Sequence, residues 1–253
     1  LINTEGFLMN TQLNKYQRLW FKEIFEPYIS ANPNSNISYP FFTGVSEKYL
    51  NAENRIMIVG QETNGWSTYK SDWTIEDSQK WAIDYLNYHL PYSDDSNLKT
   101  RFGRRNSSPF WSFFKVFSNN GIVPCWDNID KAQRYFSGKT ASLTEEIEMV
   151  FNSNLPNSNK TIFQNEIEIL KPNGIVFITG PYYHATMEKA MNLKKGSLEK
   201  VGLSYESGCI DISSVVNLGI PVYWTYHPRH IASSKNPLCR DDIVKTILKG
   251  INN

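Results

Sequence analysis

Two short runs, Ile56-Met-Ile-Val59 and Ile175-Val-Phe-Ile178, each place four apolar side chains in a row and lead into Gly60 and Thr179-Gly180. Successive side chains of a strand point to opposite faces, so an unbroken apolar run needs cover on both. A parallel sheet with helices packed on each side supplies that cover. Pro221-Val-Tyr-Trp-Thr-Tyr226 and Gly121 to Trp126 read as two more strands, and both lead into polar residues. Helical patterns alternate with them. Leu13, Tyr16, Leu19, Trp20, Ile24, Phe25 and Tyr28 put an amphipathic helix over residues 11–29. Ala31 to Pro40, rich in Asn, Ser and Pro, is a loop. Thr74 and Asp77 form a capping box that opens a helix to about Leu90. Further helices are expected over Pro109 to Asn119, over Thr161 to Leu170 (stopped by Lys171-Pro172-Asn173-Gly174), near Tyr183 to Lys194, and over Asp241 to Ile251. Strands alternating with helices, without repeats or a linker, predict one domain over residues 1–253. Its fold class is α/β, a three-layer α/β/α arrangement around a central, mainly parallel four-stranded sheet.

Composition removes several classes. With 40% hydrophobic and 14% aromatic residues, the 253-residue chain has the material for a sizeable core and is not a disordered protein. No run of about 18 apolar residues occurs, so no transmembrane helix is expected. Leu1 to Asn10 lacks a basic stretch followed by an apolar block, so no secretory signal is expected and the location is read as cytoplasmic. Cys125, Cys209 and Cys239 are far apart, form no CxxC pair and have no His at zinc spacing; three buried thiols, no metal and no cofactor are expected. The net charge of +1 hides an uneven distribution. From Lys99 to Lys139, eight basic residues stand against Asp127 and Asp130, a window of +6 that leaves −5 elsewhere (18 basic against 23 acidic). Tyr223 to Arg240 adds Arg229, Lys235, Arg240 and two His with no acid. Such clusters are usually solvated surface, but two of them brought together would make a nucleic-acid patch.

In an open parallel sheet, ligands bind beyond the carboxyl ends of the strands. Here those ends read Gly60-Gln-Glu-Thr-Asn-Gly-Trp66, Asp127-Asn128, Gly180-Pro-Tyr-Tyr-His184 and His227-Pro-Arg-His230, so three of the four His lie in two of the turns. Each turn also has a purely structural reading. Thr63 or Asn64 caps a helix with Gly65 in the turn, Asn128 caps a helix, His227 is a core histidine, and His184 is structural or exposed.

In ordered pieces, these turns resemble the uracil-DNA glycosylase superfamily. Ile56-Met-Ile-Val-Gly-Gln-Glu62 is similar to that family's first motif, and Pro109-Phe-Trp-Ser-Phe-Phe to Ile122 to the Phe-Trp helix of its mismatch-specific branch. Val123 to Lys131 resembles a strand carrying an Asn and a following Lys; Glu166 to Gly180 resembles a helix–Lys-Pro–strand–Gly unit; Thr225-Tyr-His-Pro228 resembles the second catalytic motif. The resemblance spans about Arg55 to His230 and leaves residues 1–50 as a helical extension and 67–100 as a helical insertion. It departs from the family pattern at Glu62, Thr63 and Arg229, and at His230-Ile231-Ala232, where a wedge into the minor groove would lie.

The resemblance implies a monomeric DNA glycosylase of base-excision repair that needs no cofactor and no membrane. It would hydrolyse the N-glycosidic bond of a uracil or another damaged or deaminated base flipped out of single- or double-stranded DNA. Glu62 and His227 are the implied catalytic residues. Glu62 would orient water or stabilise a cationic sugar, and His227 would donate to the oxygen that becomes negative. Gln61, Phe110 and Asn128 would bind the base, Phe110 by stacking and Asn128 by reading the pyrimidine edge. Arg101, Arg104, Arg105, Lys131, Arg229 and His230 would hold DNA. Two alternatives stay open: a binding member of the same fold that has lost excision, and a binder or hydrolase of free nucleosides or nucleotides.

Overall fold

The computed structural model describes residues 4–62, 72–90, 92, 96–103, 108–136, 139–199, 208–233 and 239–251. Its strands are β1 (Arg55–Gly60), β2 (Val123–Asn128), β3 (Arg134–Phe136), β4 (Lys139–Ala141), β5 (Gly174–Phe177), β6 (Cys209–Asp211) and β7 (Val222–Thr225). The central sheet has five strands in the order β2-β1-β5-β7-β6, while β3 and β4 form a separate hairpin. The first four central strands are parallel, and β6 runs antiparallel to β7 at the edge. The four expected strands are therefore present, but the sheet has five. β6 has only three residues and no apolar run, so its identity comes from pairing with β7. β2 begins two residues later than the expected Gly121, because Gly121, at φ +78, is still turning the chain out of the preceding helix.

Register explains what covers the sheet. Ile58, Trp126, Val176 and Tyr223 lie in one row across the strands, and Val59, Asp127, Phe177 and Trp224 lie in the next. Adjacent rows face opposite sides. The second row meets helices Ile162–Leu170 and His184–Ala190, with Phe177 at 5.9 Å from Phe163 and Trp224 at 5.2 Å from His184 between ring centroids. The first row meets helices Pro109–Asn119 and Arg240–Ile251. Trp126 lies 5.9 Å from Phe110, and any Cβ on Gly250 would overlap the Tyr223 hydroxyl. Helices thus cover both faces of a mainly parallel sheet.

The helices start where their caps dictate. Thr74 and Asp77 make the capping box of Ile75–His89, and Thr161 with Gln164 makes another for Ile162–Leu170, which ends at Lys171 in the left-handed region (φ 45). Between Tyr183 and Lys194 the expected helix divides into a 3₁₀ turn, Pro181–Tyr183, and helix His184–Ala190. The chain is helical over Thr4–Trp20 and Glu26–Ala31, joined by a π-helical turn at Phe21–Phe25, where a helix over 11–29 was expected. This first segment helps to build the core. Leu13, Trp20 and Phe25 are fully buried, and Trp20 and Phe25 join Phe42 and Phe151 in a second apolar cluster. The described part of 67–100 supplies helices Ile75–His89 and Ser96–Phe102, whose Trp81, Tyr85 and Phe102 stack beside Trp111 and Trp126. Among the described residues, no helix is long and apolar enough to cross a membrane. The expectation of three buried thiols is corrected: Cys125 is buried, Cys209 is partly exposed and Cys239 is exposed.

Candidate functional site

Gly60 sits at the carboxyl end of β1, level with Asn128 at the end of β2. Its lack of a side chain answers a packing demand. A Cβ there would lie 2.6 Å from Asn128 Oδ1 and 3.6 Å from both Phe110 Cε2 and Trp126 Nε1. Asn128 is therefore the last residue of a strand rather than a helix cap, and Ile129 to Lys131 turn without forming a helix. Phe110, in the first turn of the Ser108-capped helix Pro109–Asn119, lies nearly parallel to the His227 ring, with centroids 6.1 Å apart and planes 27° apart. His227 follows β7 and caps the short helix Pro228–Ile231 through Nδ1, which accepts from Arg229 N at 3.2 Å. Gly180, at φ +72 beyond β5, completes the approach, since a Cβ on it would lie 3.9 Å from His227 N. Phe110, Asn128 and His227 thus gather around Gly60, which close approach requires, and Gly180, which its positive φ requires.

The protonation states follow from these contacts. Burial, aided by the charge of Arg229, holds the His227 imidazole below its ordinary pKa, so it is neutral near pH 7. A backbone N–H can only donate, so Nδ1 carries no proton and Nε2 is the donor. Asn128 is 1% exposed; its Oδ1 accepts from Trp126 Nε1 at 3.1 Å, and its Nδ2 is buried without a partner among the described residues.

Glu62, two residues beyond β1, meets Ser142 and Tyr183. Burial raises its pKa, while hydrogen bonds from Ser142 and Tyr183 oppose the rise, and its Oε2 has no partner among the described residues. Asp130, a residue the sequence reading passed over, is the neighbour that matters. Its N–H donates to Gln61 O at 3.0 Å, its side chain is fully buried, and neither carboxyl oxygen is hydrogen-bonded among the described residues. Burial first, then the charges of Glu148 and Glu62, push its pKa well up, with Lys189 opposing. A sequence signal was present, because Asp130 is the first acid after β2, but only the fold reveals that it lacks a partner. A carboxyl whose pKa is raised on folding makes the protein lose stability as pH climbs from the unfolded value through the folded one. The parent's Tm should therefore fall as pH climbs above the ordinary carboxyl range, and Asp130→Asn should flatten that fall. An unchanged slope would show that Asp130 does not titrate in the native state.

The other expected contacts divide. Gln61, expected at the base, is committed to the protein: Nε2 donates to Thr179 O at 2.6 Å, and its carbonyl accepts from Asp130, stapling the ends of β1, β2 and β5. Lys131, expected to meet phosphate, is internal. Nζ lies 2.5 Å from both Asp127 Oδ1 and Glu166 Oε2, with the side chain 3% exposed. Asp127 lies in the row facing helix Ile162–Leu170, and the turn after β2 carries Lys131 to the same side. Arg101 is exposed but paired with Asp84 at 3.0 Å. Arg229 and His230 are exposed beside His227, the latter stacked 4.6 Å from Tyr226. Arg104, Arg105 and Thr63 to Trp66 lie outside the described residues. His184 packs on Trp224, consistent with a structural histidine. Among the described residues, no group of three or more His, Cys, Asp or Glu is placed to hold a metal ion. Compared with known protein families and with curated proteins, the chain matches none.

Proposed function

We propose that the chain is a DNA glycosylase-like hydrolase acting on the N-glycosidic bond of a uracil or another damaged or deaminated base held outside the helix. One observation carries this reading. A neutral His227, with its donor on Nε2, stands beside the Phe110 ring, and the same Phe110 ring and the buried amide of Asn128 both border Gly60. In this scheme Phe110 stacks on the base, Asn128 holds its edge, and His227 donates to an exocyclic carbonyl oxygen of the base. The C–N bond breaks with its electron pair going to the base, and His227 stabilises the charge that gathers on that oxygen. Water then adds to the sugar carbon and gives its proton to Glu62, whose raised pKa suits a base.

The test is incubation with single- and double-stranded oligonucleotides carrying uracil, hypoxanthine or a mismatch, followed by strand cleavage at abasic sites. Product above that of His227→Ala supports the reading, and none on any substrate sinks it. Because Glu62 must be ionised to accept a proton, the rate should fall as pH drops through a pKa above the ordinary 4.5. Glu62→Gln should be slow throughout and lose the Glu62 part of that limb, leaving only the fall that protonation of His227 causes below its ordinary 6.5. A limb that persists unchanged would assign all of it to another group.

A second reading has its own support. With Lys131 internal and Arg101 paired, two of the cations expected to bind phosphate are committed within the protein. That favours a free nucleoside or nucleotide as ligand. Affinity that rises with strand length and falls steeply with salt selects DNA; indifference to both selects the monomer.

A further inference from the structure

Asn128 is the most selective group in this site, and its neighbours have already decided how it points. An indole N–H only donates, so the Trp126 Nε1 contact at 3.1 Å requires the amide oxygen, not the amide nitrogen, to face Trp126. The remaining side of that oxygen is closed by Gly60, where even a Cβ would come within 2.6 Å. Nδ2 is left with two N–H donors, buried and without a partner among the described residues. Trp126 is itself held in an aromatic cluster, 4.6 Å from Phe41 and 5.4 Å from Trp111 between centroids, so the amide has no freedom to flip. A buried donor without a protein partner is met by water, an ion or a bound ligand, and a base in this pocket would meet this one.

We infer that Trp126 is a specificity-determining residue that makes Asn128 a donor-only reader, so the site takes a planar ring whose facing edge carries adjacent acceptors. This rests on the base-pocket reading above and narrows it. The O6/N7 edge of a 6-oxopurine or the N3/O2 edge of a cytosine-type ring meets the condition. The O4/N3–H edge of uracil does not, because its ring N–H finds no acceptor, and a buried unpaired donor weakens binding by about tenfold or more.

Calorimetric titration with ring-matched probes tests this: 1-methylcytosine against 1-methyluracil, and 9-methylhypoxanthine against 9-methyladenine. The expected result is at least about tenfold tighter binding of the acceptor-edged member of whichever pair binds. In Trp126→Phe, which keeps a ring but deletes the N–H, the preference should shrink to about twofold or less because the amide can then rotate. A thermal melt of that variant shows whether it is folded, and Asn128→Asp, which removes both donors, should reverse the preference in an intact Trp126 background. Equal binding within each pair, or a preference unchanged in Trp126→Phe, overturns the inference while leaving the base pocket standing. No binding by any probe overturns both.

Discussion

Replacing His227 with alanine is expected to slow base release by about 10²–10³-fold, equivalent to about 2.7–4 kcal/mol of transition-state stabilisation, while substrate affinity changes little. The asymmetry follows from the state of the ring. A neutral imidazole donating from Nε2 makes an ordinary hydrogen bond to a ground-state carbonyl, but a much stronger one once that oxygen carries charge. Its loss is therefore felt in the chemical step. His227→Gln, which retains an N–H donor of similar reach on a more flexible side chain, should recover part of the rate. Single-turnover kinetics on the best oligonucleotide, with affinity measured separately, checks both. A variant that binds tenfold more weakly yet turns over at the parental rate would make His227 a binding residue only. The low pKa of His227 also sets the direction of its pH effect. A group that must be neutral is fully competent above its pKa and is lost as pH falls through it, and burial places that loss below the ordinary 6.5.

The second large effect concerns stability. Lys131→Ala should destabilise the protein by about 3–5 kcal/mol, because it leaves Asp127 and Glu166 as buried carboxylates without a counter-ion. Burial opposes the charge on Lys131, but the two carboxylates outweigh it and hold the ammonium above its ordinary pKa. Glu166, pushed up by burial and by Asp127, is the partner readiest to take a proton. It also accepts from Gln17 at 2.8 Å, and so ties the first helix to the sheet through this group. A loss confined to about 1 kcal/mol or less in urea unfolding would show that the triad is not structural. Lys131→Met with Glu166→Gln should be milder than Lys131→Met alone, since one uncompensated charge is removed while the Gln17 contact is kept.

These two results also separate what local pattern reveals from what it does not. β1 and β5 were legible because four apolar side chains in succession leave a strand no solvent-facing side. Helices Ile75–His89 and Ile162–Leu170 were legible because Thr74 and Thr161 are caps whose partners lie three residues away. The gathering of polar residues beyond the strand ends was legible for the same reason, since a parallel sheet exposes its carboxyl ends together. Asn128 and His227 follow from it, while Phe110, on helix Pro109–Asn119, came only from the resemblance. β6 was not legible, because three residues carry no period of their own and take strand geometry from Val222–Thr225.

Charge was the poorest guide. Lys131 belongs to the +6 window in the sequence and to a buried triad in the fold. The sequence by itself determined the apolar strands β1 and β5 and the capped starts of helices Ile75–His89 and Ile162–Leu170, since hydrophobic runs and caps act over neighbours at most four residues apart. Only the tertiary structure decided which way each polar side chain looks and what it meets. Asp127 and Asn128 are adjacent, yet one turns to Lys131 and Glu166 while the other turns to Gly60, Phe110 and Trp126. Whether a buried lysine is matched or an amide is left waiting depends on atoms more than thirty residues away in the chain, such as Glu166 for Lys131 and Gly60 for Asn128. Those partners arrive only when the sheet registers.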